Sequence, residues 1–173
     1  MSDVVDITGT ITGTSLYAGS KRPRLVGRNM TITLPEVTRV TAEFKTAGGA
    51  QEFPINLLED MESSVSTQGV DGNMFMLTAP DLDMLEARWK QQVMTAGGNF
   101  KEAGCKAFIG VHPVTLLPGA GLEVGSPSEN DITYKVHSVK LIVDGVIVLH
   151  VDKITGKIDV LGKPYGTDSD TFL

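Results

Sequence analysis

The segment Val143-Asp144-Gly145-Val146-Ile147-Val148-Leu149-His150-Val151-Asp152 constrains this chain more than any other. Asp-Gly between two apolar runs is a strong signal for a two-residue hairpin turn, because both turn positions need left-handed backbone. Residues 130–143 before it read as a strand: Ile132, Tyr134 and Val136 face one way, and Lys135, His137 and Val139 the other. Residues 146–151 return from the turn. Thr155-Gly156 marks a further turn, and Ile158 to Leu161 a short last strand. A second phrase, Ile32-Thr33-Leu34-Pro35-Glu36-Val37-Thr38, reads as strand interrupted at Pro35, which marks an edge or a bulge. Neither phrase gathers acids, histidines or nucleophiles. A chain whose clearest signals are strands and turns is expected to make surfaces rather than reactions.

The length, 173 residues, suits one domain, and 41% hydrophobic residues suffice for an ordinary core. Gly 19 and Pro 8, set in short clusters, favour a turn-rich β protein. The net charge of −6 and a pI near 5.0 argue against a nucleic-acid reader, since no basic stripe exists to neutralise phosphates. The lone Cys105 has no partner for an internal disulfide, which fits a reducing compartment. Lys101 and Lys106 near it could lower a thiol pKa, but a small buried strand residue is the simpler reading. No apolar run approaches the roughly 20 residues of a membrane span. The start, Met1 to Asp6, lacks the features of a signal peptide, so the Asn29-Met30-Thr31 sequon is expected to carry no sugar.

Three segments are expected: an extended arm or irregular hairpin over 1–30, a β domain over 31–161, and a loose polar tail over 162–173. In the arm, Thr8 to Ser15 looks like a weak Gly/Thr repeat, and Lys21-Arg22-Pro23-Arg24 like a solvated loop. Over 30–46 the alternation puts Val37, Arg39, Thr41, Glu43 and Lys45 on one face and Val40, Ala42 and Phe44 on the other. A sheet wetted on one side has this pattern. Thr46 to Leu58 reads as a long loop with Gly48-Gly49 and Phe53-Pro54-Ile55, whose apolar side chains must dock on this chain or a neighbour. Residues 61–70 and 104–112 read as strands, and 113–129 as a Gly/Pro/Ser-rich loop. One helix is expected after Thr78-Ala79-Pro80-Asp81, with Thr78 as its N-cap and Gly97-Gly98 as its stop. Leu82, Leu85, Trp89 and Val93 form its packing stripe, with acids early and Arg88 and Lys90 late, and Trp89 anchors it on a sheet. The resulting class is α+β, mainly β: a curved antiparallel sandwich or barrel with one flanking helix.

Motifs that could carry chemistry fail on spacing. Gly156-Lys157 and Gly162-Lys163 leave five residues between the glycines where a phosphate loop needs four, and Pro164 replaces the magnesium-binding Ser or Thr. Gly119 to Gly125 resembles a dinucleotide fingerprint but lies between strands rather than at a helix start. His112, His137 and His150 could meet around a metal in a closed sheet, yet no Cys or acid spacing accompanies them. Ser63 and Ser64 lack a nucleophile motif, and Glu59, Asp60 and Glu62 lack the alternation of a calcium loop. No catalytic residue, metal or cofactor is expected.

In order and spacing these segments resemble the major tail tube protein of contractile-tailed bacteriophages. The resemblance covers roughly residues 30–160. It is carried by Ile32 to Thr38 with its Leu-Pro, by Ala47-Gly48-Gly49 followed by Phe53 to Leu57, by one helix after the second strand, and by Tyr134 to Asp152 around Asp144-Gly145. Residues 1–30 and 113–130 depart from the family pattern.

The resemblance implies a structural subunit. Hexameric rings stack into a hollow conduit that delivers the genome, and inner strands of six copies join edge to edge in one continuous barrel, which removes free sheet edges. It implies bore-facing strands near 36–46, 61–70, 104–112 and 130–142. Implied partners are further copies of itself, the tail sheath, tape-measure, baseplate tube-initiator and tail terminator proteins, and double-stranded DNA passing without sequence-specific binding. The implied location is the virion tail, assembled in the host bacterial cytoplasm. Candidate interface residues are Leu34, Pro35, Gly48, Gly49, Phe53, Pro54 and Ile55. Acidic net charge keeps DNA from sticking. Alternatives are the tube of a phage-tail-like bacteriocin or type VI secretion system, told apart by neighbouring genes, and an enzyme or carbohydrate-binding β domain, which needs a ligand cleft.

Overall fold

Strand pairing in this chain is organised by one 15-residue strand, β9 (Glu129–Val143). The computed structural model describes residues 7–95 and 97–165. Along one edge β9 pairs with β8 (Phe100–Pro113), which continues through β7 (Met84–Met94) and β1 (Ile7–Ala18) to β2 (Arg24–Arg28). Its other edge is divided. The first half, Glu129 to Val136, pairs with β6 (Met61–Gln68), and β6 with β3 (Thr31–Thr33). The second half pairs with β10 (Val146–Asp152), followed by β11 (Lys157–Val160) and β12 (Lys163–Pro164). Every pairing is antiparallel. β4 (Arg39–Thr46) and β5 (Gly49–Leu58) form a separate two-stranded sheet.

One core serves both limbs of the sheet. Leu16, Leu85 and Ile109 enter it from the β1–β7–β8 limb, and Met61, Val65 and Ile132 from the β6–β9 limb. The sheet therefore folds over its own apolar face rather than lying flat. Among the described residues it does not close into a barrel: β2 pairs only with β1, and β12 only with β11. Tyr134 sits in this core, fully buried, and its phenol donates to Leu77 O at 2.6 Å. That bond satisfies the one polar atom of the ring and contributes about 1 kcal/mol. Burial holds the phenol pKa above its ordinary value.

The expected helix over 78–97 is replaced. The one helix among the described residues is α1 (Met74–Thr78), which ends where the expected helix begins. Asp71 Oδ1 accepts from Met74 N at 3.0 Å to open it. Residues 84–94 are instead β7, paired on both sides with β1 and β8. Leu85, Trp89 and Val93 are four apart, a spacing that suits one helical face and equally one face of a strand. Ala87, 1% exposed, completes the period-two row and decides for the strand. Leu82 precedes β7 and is buried by the core. Asp81 and Pro80 lie between the elements and start neither.

Of the arm or irregular hairpin expected over 1–30, residues 1–6 lie outside the described residues, and β1 and β2 form a hairpin within the main sheet, bent over 19–23 and hydrogen-bonded to β7 through β1. The strand expected over 30–46 is broken: β3 ends at Thr33, residues 34–38 around Pro35 belong to no strand, and β4 resumes at Arg39. In β9, Val136 pairs with Val111 and Ser138 with Gly110, so His137 is an extra residue, a bulge. The bulge reverses the alternation. Val139, expected opposite Ile132, Tyr134 and Val136, thus joins them in the core.

Candidate assembly surfaces

The β4–β5 hairpin is exposed along most of its length. Thr46 pairs with Gly49 across Ala47-Gly48, and Thr46 Oγ1 donates to Gly49 O at 2.8 Å. Gly49 has φ 127°, a conformation side chains resist. The expected loop over 46–58 is therefore a tight turn followed by a strand. Pro54 is accommodated because β5 pairs with β4 alone among the described residues, and an edge strand tolerates proline. A two-residue gap around Gly48-Gly49 was the available signal for a hairpin.

Register sorts this hairpin into two unlike faces. Ala42 stands opposite Phe53, and Phe44 opposite Gln51. The Phe44 and Phe53 rings lie 5.8 Å apart, inclined by 58°. They remain 49% and 44% exposed, so the ring pair packs on itself more than on the body. The other face presents Glu43 directly opposite Glu52. A lone two-stranded hairpin is marginally stable in water, and an exposed aromatic face marks a contact surface.

The other interface candidates are distributed around this hairpin. Gly48 and Gly49 form its tip, with nothing near either α-carbon that a methyl would strike. Phe53, Pro54 and Ile55 lie on β5, Ile55 half-buried. Leu34 and Pro35 lie in the segment leading into β4, Leu34 38% exposed. Contacts at the root orient the hairpin: Glu59 N donates to Thr38 O at 2.9 Å, and Asn56 Nδ2 to Tyr165 O at 3.2 Å. Asp60 pairs with Lys153 at 3.1 Å and Glu62 with Lys135, so two of the three acids Glu59, Asp60 and Glu62 stand in ion pairs. The hydrogen bond from Lys153 holds the Asp60 pKa below its ordinary value.

A second apolar surface was missed by sequence reasoning. The loop over 114–128 is irregular as expected, but its Leu116, Leu117, Leu122 and Val124 stand in solvent. Of the four strands expected near the bore, three lie side by side as β6–β9–β8, and the fourth, β4, belongs to the detached hairpin.

The chemical candidates have structural surroundings. The His112 and His137 rings lie 4.9 Å apart, inclined by 42°, while His150 faces Lys140 and Asp159 across its neighbouring strands. Burial lowers the His150 pKa, and Lys157 and Lys140 reinforce it. Among the described residues no group of three or more His, Cys, Asp or Glu is placed to hold a metal. Cys105 is buried, and burial, then Asp144, raises its pKa, opposite to activation by lysines. Ser63 Oγ donates to Thr33 O at 2.7 Å and ties β3 to β6. Gly156 and Gly162 have positive φ in turns flanking β11.

Concavities also mark the surface. A cleft of about 410 Å³ separates β2 from the end of β6 and α1, lined by Arg28, Asn29, Thr67 and Asp71 among others. A wider trough of about 930 Å³ crosses β1, β7, β8 and β9. Comparison with known proteins gives two findings. The family model described as phage tail tube protein FII matches residues 9–168. No curated protein matches the chain.

Proposed function

Because the chain belongs to the phage tail tube protein family, a structural family of the virion tail whose members assemble with themselves and with other tail proteins, we propose that it is the repeating subunit of a contractile tail tube. Six copies form a ring, rings stack, and the bore conducts double-stranded DNA into the host without reading it. The sheath surrounds the tube, a tape-measure protein sets its length, and tube-initiator and terminator proteins bound it. Assembly takes place in the host bacterial cytoplasm.

The observation that carries this reading is the detached β4–β5 hairpin with its half-exposed Phe44–Phe53 pair. Such an element lowers its free energy by covering its apolar face with a neighbour. Gly48, Gly49, Phe53, Pro54 and Ile55 then lie in the contact between copies, with Leu34 and Pro35 at its margin. Open sheet ends at β2 and β12 agree with edge-to-edge joining, which removes the hazard of unpaired strands.

Negative-stain microscopy of purified protein tests the assembly. Rings or tubes are expected, and compact monomers alone at high concentration would refute it. Deletion of residues 48–55 is expected to stop stacking and leave a folded monomer. Stacking that survives the deletion removes the hairpin from the interface.

A further inference from the structure

The wide trough carries a row of cations set by strand register. Ser15 stands opposite Arg28 on one side and Arg88 on the other, and Arg88 stands opposite Lys106. Directly paired residues share a face. Arg28, Arg88 and Lys106 therefore project together, away from the core row of Leu16, Ala87 and Ala107. The next row places Lys90 between Gly13 and Gly104, whose missing side chains make the depression. Arg88 reaches Glu86 at 2.6 Å and covers the Tyr17 ring, and Lys90 reaches Glu102 at 3.7 Å. Arg28 and Lys106 have no acidic partner among the described residues. An acidic chain thus keeps a like-charged pair, Arg88 opposite Lys106, on one open face.

The hairpin has the opposite arrangement. Glu43 stands directly opposite Glu52, also without an ion pair among the described residues, and Lys45, opposite Ala50, is the cation next to them on that face. Each like-charged pair directly across two strands is unfavourable in the isolated chain, less so at Arg88, whose guanidinium also reaches Glu86. Each would become favourable on meeting the other. The spacing also agrees, because both pairs are direct cross-strand neighbours of antiparallel ladders.

We propose that the Glu43–Glu52 face of the hairpin of one copy seats in the Arg28–Arg88–Lys106 trough of a second copy. The proposal rests on reading the hairpin as an assembly contact and names its receiving surface. The Phe44–Phe53 face, on the other side of the hairpin, stays available for apolar burial. Glu102 and Asp144 on the trough lining interrupt the positive field, which suits a short acidic segment better than a running polyanion such as duplex DNA.

The experiment is a charge-swap cycle read by the critical concentration for assembly, with circular dichroism and sedimentation confirming folded monomers. Glu43→Lys with Glu52→Lys is expected to raise the critical concentration about tenfold or more, as is Arg28→Glu with Lys106→Glu. The combined variant is expected to return to within about threefold of the parent. Absence of recovery overturns the proposal. Parental assembly of both charge variants, with assembly lost in Phe44→Ser/Phe53→Ser, overturns the trough and keeps the hairpin reading. Parental assembly of all three removes both. Loss of linear duplex DNA binding in Arg28→Glu/Lys106→Glu, measured by anisotropy with assembly unchanged, assigns the trough to DNA instead. Should the reversals fail to fold, Glu43→Gln/Glu52→Gln serves: a flatter salt dependence of assembly supports the pairing, and an unchanged one overturns it.

Discussion

Two hairpins of this molecule have tight glycine turns and opposite surroundings. In β9–β10 the turn is Asp144-Gly145, with φ of 53° and 81°, the left-handed pair such turns need. Its strands are flanked by β8 and β11, and Val139 and Val151 are buried. In β4–β5 the turn is Ala47-Gly48, no third strand is present, and Phe44 and Phe53 are half in solvent. The difference lies in what is packed against each hairpin. The body hairpin completes a core within one chain, whereas the detached hairpin keeps an apolar face that no further strand among the described residues covers.

Substitutions in monomer and assembly separate the two regions. The largest effect on monomer stability is expected for Leu85→Ala, fully buried in β7, at about 2–5 kcal/mol by urea denaturation. Gly110→Ala comes next, at about 1–3 kcal/mol, because a methyl there meets Ser138 Oγ and comes within 2.5 Å of His137 Cε1 at the bulge. Tyr134→Phe removes only the bond to Leu77 O and should cost about 1 kcal/mol. Phe44→Ser with Phe53→Ser should move monomer stability by less than about 1 kcal/mol while abolishing tubes in micrographs. A monomer destabilised as much as by Leu85→Ala would erase the distinction.

The smallest expected effect is that of pH. His150 has its pKa lowered in the folded state from an ordinary 6.5. The unfolded chain therefore takes up a proton first as pH falls. Its contribution is full above pH 6.5 and is lost below it, down to the folded pKa. Thermal melts from pH 7.5 to 5 should show this loss, and His150→Gln should reduce it. An unchanged profile would place the titration elsewhere.

The legibility of the chain follows the same division. Asp144-Gly145, the strands on either side of it, and the strands over 61–70 and 104–112 were readable because local turn chemistry and period-two patterning agreed. Residues 84–94 were misread because Leu85, Trp89 and Val93 satisfy both periods, and only pairing with β1 and β8 selects the strand. The side of Val139 was misread because a bulge at His137 has no local signature. The residues at the centre of the proposed assembly surface, Gly48, Gly49, Phe53 and Ile55, were singled out as a loop with apolar side chains in need of a dock. Its strand conformation and its partner β4 were not legible, since Pro54 argues locally against both. Leu116, Leu117, Leu122 and Val124 were passed over because exposure is not a property of residue type.

The sequence by itself determined a mainly β chain with glycine turns, an acidic surface and no spaced catalytic or metal motif, because turn geometry, charge and motif spacing are local. The tertiary structure decided which side chains share the core, which strands end the sheet, that β4–β5 stands apart, and that Arg28, Arg88 and Lys106 fall in one row. Those features depend on pairings between distant segments, where a one-residue shift in register reverses every face.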